Sequence, residues 1–296
     1  MNKIIKRFIA AILAAALLIL LPAAASAEIS KSNNYYEKAF SASHLFRDIF
    51  VKQYGSGKVY DDLANIFIEM LYDDSIKYGE QRVLSFSDEV DVAEFGAALV
   101  SVQHDLPFIP IFLFCAYSYS FRDGVETFEV TATKEMINCE TVTDAASYKA
   151  AFLSTVSELK KYRSAVMNIT DEEKRLEAAA KLLTDNSVYD LSAPFHVYNA
   201  LMTRIGICGT AAWSMSLIGH AIGIPSYSLG IGTNHAVTLV QTANGFKIID
   251  TTFGVRNPKL ADISQYKNQI KWETAFGLLS SYFFPDIDFQ EFFERN

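Results

Sequence analysis

Apolar residues recur with two different periods along this chain, and the switch between them outlines its organisation. In the segment 28–79, Leu63, Ile66, Phe67, Met70 and Leu71 fall at i, i+3, i+4 spacing, which buries one face of a helix. Residues 92–103 repeat the pattern with Phe95, Leu99 and Val102. The period then changes. Residues 111–121 are aromatic-rich, Asp123-Gly124 is a hairpin turn signal, and Val125 to Thr133 alternates apolar with polar, which predicts a β-hairpin. Helical spacing returns from Ala145 to about Ala165, with Tyr148, Phe152, Thr155, Val156, Leu159 and Tyr162 as the stripe. Thr170-Asp171-Glu172-Glu173 reads as a capping box opening another helix that carries Leu176, Leu182 and Leu183.

The most informative stretch follows, from Val188 to Phe253. Gly206-Ile207-Cys208-Gly209 ends a polar connection, and 210–222 reads as a buried helix stopped by Gly223-Ile224-Pro225. A Gly-rich segment comes next, and then a second hairpin. Its strands are His235 to Val240 and Phe246 to Asp250, joined by a turn containing Asn244-Gly245.

Composition narrows the class. The chain has 296 residues, half of them hydrophobic and 20% charged, which excludes disorder and low complexity. Its formal net charge is −8 with no cationic run beyond the N-terminus, so nucleic-acid binding is not expected. The first 27 residues read as a signal peptide: Lys3, Lys6 and Arg7 precede an apolar run from Phe8 to Leu21, and Ala25-Ser26-Ala27 fits a cleavage site. An uncleaved anchor is the alternative, since the run approaches spanning length. Cleavage after Ala27 predicts a protein that is secreted or held in the cell envelope, with no membrane contact beyond the signal peptide. The remaining chain divides into an N-terminal mixed helical and β-hairpin region, 28–167, and a C-terminal domain, 168–296.

Three cysteines, Cys115, Cys139 and Cys208, are too few for a disulfide scaffold. With Arg122 facing Val125, Cys115 lies opposite Ala132, so a bridge to Cys139 requires the chain after Thr133 to fold back. Asn168-Ile169-Thr170 matches a glycosylation sequon, which a capping Thr explains as well.

Cys208 has a chemical context. A cysteine at a helix N-terminus sits beside unpaired N–H groups and the positive end of the helix dipole, and both favour the nucleophilic thiolate. Attack on an acyl group also needs a base and oxyanion donors. His235 supplies an imidazole, and Asp250 can orient it. If Gln241 faces Phe246, then Val237 faces Asp250, and His235 becomes its same-face diagonal neighbour. A tight turn at Asn244-Gly245 slides Asp250 two residues further away. Tyr189, His196 and Tyr198 are candidates to line the cleft or donate to an oxyanion, and spacing selects none of them. His220 suits the C-terminal end of its helix. His44 and His104 have no partner at metal-ligand spacing.

The order Cys, His, Asp, with G-x-C before a helix, G-I-P after it, N-H-A on one strand and I-I-D-T-T on the next, resembles the transglutaminase-like superfamily. The likeness is good over about 170–254 and suggestive over 88–170. It implies an α+β fold with a papain-like core, in which the helix bearing the cysteine packs on an antiparallel sheet bearing the histidine and aspartate. It also implies Cys208 as nucleophile, His235 as base and acid, Asp250 as orienting group, and no metal or organic cofactor. The expected chemistry is thioester formation on a peptide or glutamine carboxamide, resolved by water or by a primary amine. The expected partner is a protein or peptide substrate, cell-wall association being one setting. Val237, Phe246-Lys247, Thr251 and Gly209-Thr210-Ala211 depart from residues common in the family and bear on cleft and acceptor specificity. A catalytically silent binding module on the same fold is the alternative. The aromatic C-terminal segment (Phe276, Tyr282, Phe283, Phe284, Phe289, Phe292, Phe293) reads as core packing, with an exposed binding face as the alternative.

Overall fold

A computed structural model describes residues 58–87, 90, 95, 98–99, 102, 106, 108–122, 125–136, 139–231 and 234–266. The N-terminal segment, the start of the first predicted helix, His44, His104 and the aromatic C-terminal segment lie outside the described residues. The chain divides into two compact units, whose described parts are 58–136 and 139–266. The helix predicted from Ala145, placed before the sequence boundary at 167/168, falls in the second unit.

In the first unit, α1 (Lys58–Tyr72) buries the predicted stripe: Leu63, Ile66, Phe67 and Met70 are inaccessible to solvent, and Leu71 nearly so. Strand β1 (Gln81–Ser87) had no signal in the alternation pattern, because only Phe86 along it is buried. The short helix α2 (Ile109–Phe112) leads into β2 (Phe114–Arg122), which pairs with β3 (Val125–Thr133) in the predicted register, Arg122 opposite Val125 and Cys115 opposite Ala132. The antiparallel sheet has the order β1-β3-β2. Phe95 stacks on Phe128 at 4.9 Å and meets Phe86 edge-on at 5.7 Å. All three cysteines are free thiols, and desolvation pushes Cys115 up to about 12.

The second unit wraps helices around one nearly all-buried helix. Helix α3 (Ala145–Val166) begins in a capping box between Asp144 and Ser147 and buries Tyr148, Ala151, Thr155, Val156, Leu159 and Tyr162, with Phe152 only half-buried. Helix α4 (Glu172–Thr184) is capped by Asp171, whose carboxylate accepts from the Lys174 N–H at 2.9 Å. The cap is therefore one residue later than the predicted Thr170, since Asp171 stands three residues before that N–H. A two-residue parallel pair, β4 (Val188–Tyr189) with β5 (Ile205–Gly206), brackets α5 (Val197–Thr203). Helix α6 (Cys208–Ala221) follows at once, and β6 (Ser226–Ile231), β7 (His235–Thr242), β8 (Gly245–Ile249) and β9 (Leu260–Asp262) form an antiparallel sheet in sequential order. Both larger sheets are antiparallel and both units mix helix with sheet, so the chain is α+β.

Helix α6 packs against α3, α4, α5, β6 and β7. Small residues let it come close. A Cβ on Gly219 would stand 1.9 Å from the Ser226 hydroxyl oxygen, while the Ser216 hydroxyl donates to the Ser226 carbonyl at 2.5 Å. Arg163 of α3 donates to the Ala221 carbonyl at 2.7 Å, placing a cation at the negative end of α6. We predict that Gly219→Ala lowers unfolding stability by about 1–3 kcal/mol, the usual cost of overpacking. Gly230→Ala, where a Cβ meets nothing within 4 Å, should stay within about 0.5 kcal/mol of the parent; urea denaturation of the two variants checks both.

Candidate active site

Cys208 is the first residue of α6, so its N–H and those of Gly209 and Thr210 have no helical carbonyl to bond. The approach to it is tightly built. The Thr210 hydroxyl accepts from the Ile207 N–H at 3.1 Å and donates to the Ile207 carbonyl at 3.0 Å, fixing the residue before the cysteine. Gly206 is confined by the Thr210 hydroxyl, the Phe253 ring and Ala200: a Cβ there would lie 2.5, 3.2 and 3.3 Å from them. Cys208 is 9% exposed, and its thiol donates a long bond to the Asn234 carbonyl at 3.9 Å. The sulfur therefore lies against the backbone that leads directly into His235.

His235 opens β7, and Asp250 is the first residue after β8. The hairpin takes the register in which Gln241 faces Phe246, with Thr242 opposite Gly245. Of the two registers left open by the sequence, this one brings His235 and Asp250 together. Their contact is direct, Nε2 to Oδ2 at 3.0 Å. A carboxylate only accepts, so Nε2 carries the hydrogen of that bond, and Nδ1 is the nitrogen left free to act. Desolvation pushes the Asp250 carboxyl up. Hydrogen bonding from Thr252 and the His235 ring outweigh this and hold it below the usual carboxylate range. The Thr252 N–H bonds the other oxygen, Oδ1, at 2.9 Å. Asp250 is thus an ionised, doubly held acceptor at neutral pH.

Two threonines carry this pair to the start of α6. The Thr238 hydroxyl donates to the Ala212 carbonyl at 3.2 Å, and the Thr251 hydroxyl to the Ala211 carbonyl at 3.4 Å. Both hydroxyls are buried, and a buried hydroxyl without a partner is costly. The Thr251 bond ties the residue after Asp250 to α6. The turn is pinned from outside as well: Glu172 accepts from the Ala243 N–H at 2.9 Å and Glu173 from the Asn244 amide at 3.0 Å.

Of the three residues that spacing left unselected, Tyr189 is the one whose electrostatics couple to Cys208. Pairing of β4 with β5 sets Tyr189 opposite Gly206, two residues before Cys208. Its hydroxyl pKa is raised, first by desolvation and then by its interaction with Cys208. No period marks a two-residue strand, so the sequence carried no signal for this placement. His196 is instead the N-cap of α5, its Nδ1 accepting from the Asn199 N–H at 3.5 Å, and Tyr198 meets its ring edge-on. His220 is buried in α6 with Nδ1 2.9 Å from the Ser216 carbonyl, a structural place as its position predicts.

No family model matches the sequence, and no curated protein matches it. Among solved structures, the chain is similar to the periplasmic domain of TgpA from Pseudomonas aeruginosa bound to ethylmercury. The TM-score is 0.27 at 16% identity, over 43% of this chain and 55% of that one. It is also similar to a candidate cysteine protease from Cytophaga hutchinsonii, with TM-score 0.30 and 13% identity over 58% and 64% of the two chains. A candidate protease from Parabacteroides distasonis gives TM-score 0.23 and 11% identity over 60% and 45%. The matched part therefore spans less than two thirds of each of these proteins. The functional reading rests on the chain's own residues.

Burial holds His196 and His220 well below the ordinary imidazole value, each at about 4. The unfolded chain binds these protons first, near 6.5, so their contribution to stability is complete above that pH and is lost as pH falls toward 4. We predict that unfolding stability declines across this window with a slope approaching two protons, each about 1.4 kcal/mol per pH unit. His196→Asn, which keeps a capping side chain, should remove about half of that slope in chemical denaturation at stepped pH.

Proposed function

We propose that this chain is a secreted or envelope-associated thiol acyl-transfer enzyme of transglutaminase-like type. The observation that carries the reading is the 3.0 Å His235–Asp250 bond beside a cysteine at a helix N-terminus, whose sulfur contacts the carbonyl preceding that histidine. Fold and site alone support a class of chemistry rather than a named substrate.

In this mechanism the Cys208 thiolate attacks the carbonyl carbon of a peptide or glutamine carboxamide. His235 Nδ1 takes the thiol proton and passes it to the departing amine, and a thioester forms as the C–N bond breaks. Asp250 fixes the imidazole tautomer through Nε2 and stabilises the imidazolium. The unpaired N–H groups of the first turn of α6 supply the oxyanion donors. Water resolves the thioester in a protease or amidase, and a primary amine does so in a transglutaminase. The same three residues serve both outcomes, and the acceptor that reaches the thioester decides between them.

Alkylation tests the site without knowledge of a substrate. With iodoacetamide at pH 6.5, read per cysteine by mass spectrometry, Cys208 should react at least about ten-fold faster than Cys115, whose thiol holds its proton. His235→Ala should remove most of that advantage, since only the thiolate reacts. Asp250→Asn should lower it less. A Cys208 that is inert, or whose rate is indifferent to His235, overturns the enzyme reading in favour of a binding module that keeps the fold.

A further inference from the structure

We infer that the loop 190–195 forms an apolar subsite at the rim of Cys208, which takes an aromatic or branched aliphatic side chain of a polypeptide beside the bond under attack. The inference rests on the acyl-transfer reading and names the substrate class that goes with it.

Large exposed hydrophobic side chains are not spread evenly over the described residues. Tyr119, Leu153 and Met167 stand singly, whereas Val188, Tyr189, Leu191, Phe195 and Ile205 all belong to the short segment leading to Cys208. Isolated exposed apolar residues need no explanation, but a cluster does. Leu191 is the extreme case at 81% exposed, and Phe195 is 52% exposed. A leucine exposed to this extent gains nothing in this fold and gives up apolar burial.

The loop is fastened at both ends to residues flanking the sulfur. At its start, the Asp190 N–H donates to the Gly206 carbonyl at 3.0 Å, two residues before Cys208. At its end, the Phe195 ring lies over Gly209, one residue after Cys208, where a Cβ would come within 2.7 Å of the ring. Gly209 therefore leaves the room that the Phe195 ring fills. Between these fastenings the chain turns tightly, with the Ser192 N–H and hydroxyl on the Asp190 carboxylate at 2.8 and 2.6 Å and the Ala193 N–H on the Asp190 carbonyl at 3.2 Å. Leu191 is thus presented on a braced turn within the segment that brackets the nucleophile.

Charge points the same way. No lysine or arginine occurs in 186–203, and the one acidic group there, Asp190, is turned onto its own loop. Nothing in the loop recognises a carboxylate, and the net charge of −8 disfavours acidic ligands further. A neutral apolar side chain matches this lining in character, since binding sites are mostly apolar with few polar groups fixing orientation.

The probes are acetyl-dipeptidyl chloromethyl ketones carrying Phe, Leu, Gly or Asp at each of the two residues, with iodoacetamide as reference. Cys208 sulfur displaces chloride from each probe, and labelling rates are read at Cys208 by mass spectrometry. At one or both positions, Phe or Leu should label at least about ten-fold faster than Asp, equivalent to about 1.4 kcal/mol. Each rate is divided by the iodoacetamide rate of the same protein. In Leu191→Ser, and more fully in Leu191→Ser/Phe195→Ser, that preference should fall below three-fold; both side chains are exposed, and cooperative unfolding verifies each variant. Equal or Asp-favouring rates at a Cys208 that still reacts with iodoacetamide in a His235-dependent way overturn the subsite alone, as does a preference that survives both substitutions. Inertness toward iodoacetamide overturns the acyl-transfer reading and the subsite with it.

Discussion

The close seating of helix α6 on its sheet is the constraint from which the rest of the second unit follows. Twelve of its fourteen residues are buried, so it has almost no solvated face and must be matched on every side. Where it meets β6, Gly219 leaves room only for Ser226. At its other end the hydroxyls of Thr238 and Thr251 hold the carbonyls of Ala212 and Ala211. A helix held this way cannot slide along its axis by even part of a turn without orphaning buried hydroxyls and driving a glycine into a serine. Its first residue is therefore fixed, and that residue is Cys208.

Position then becomes electrostatics. The N-terminal end of α6 presents unpaired N–H groups and the positive end of its dipole where the sulfur lies, while its C-terminal end is answered by Arg163 at the Ala221 carbonyl. The strand that follows β6 enters His235 directly from the carbonyl the sulfur touches. Asp250 is held in the ionised form by Thr252 and His235 despite its desolvation. Nucleophile, imidazole and carboxylate thus come from three separate elements that hold one another: Thr238 and Thr251 tie the hairpin to α6, and β7 pairs with β8.

Much of this was legible in the amino-acid order, and the exceptions have physical reasons. The stripes of α1 and α3 and the hairpin β2–β3 follow from periodicity because each buries one face against its own unit. The pairing of Asp250 with His235 was legible only as one of two registers. The structure selects it partly through Glu172 and Glu173, about seventy residues away, which grip the Ala243-Asn244 turn. No local pattern encodes a contact of that range. Strand β1 escaped notice because its burial does not alternate, and Tyr189 because a two-residue strand has no period. The cap of α4 was misplaced by one residue because Thr170 and Asp171 are both good capping residues, and only the position of the Lys174 N–H separates them.

The account's central claim is that Cys208, His235 and Asp250 act as one acyl-transfer site, and a trapped intermediate tests it most directly. The protein would be mixed with an activated peptide ester, quenched in acid within milliseconds, and weighed intact before peptide mapping. The account predicts a gain of one acyl group on Cys208, labile to hydroxylamine as a thioester is, absent in Cys208→Ala and formed far more slowly in His235→Ala. No adduct, an adduct on Cys115 or Cys139, or acylation of Cys208 that proceeds equally well without His235 would contradict it.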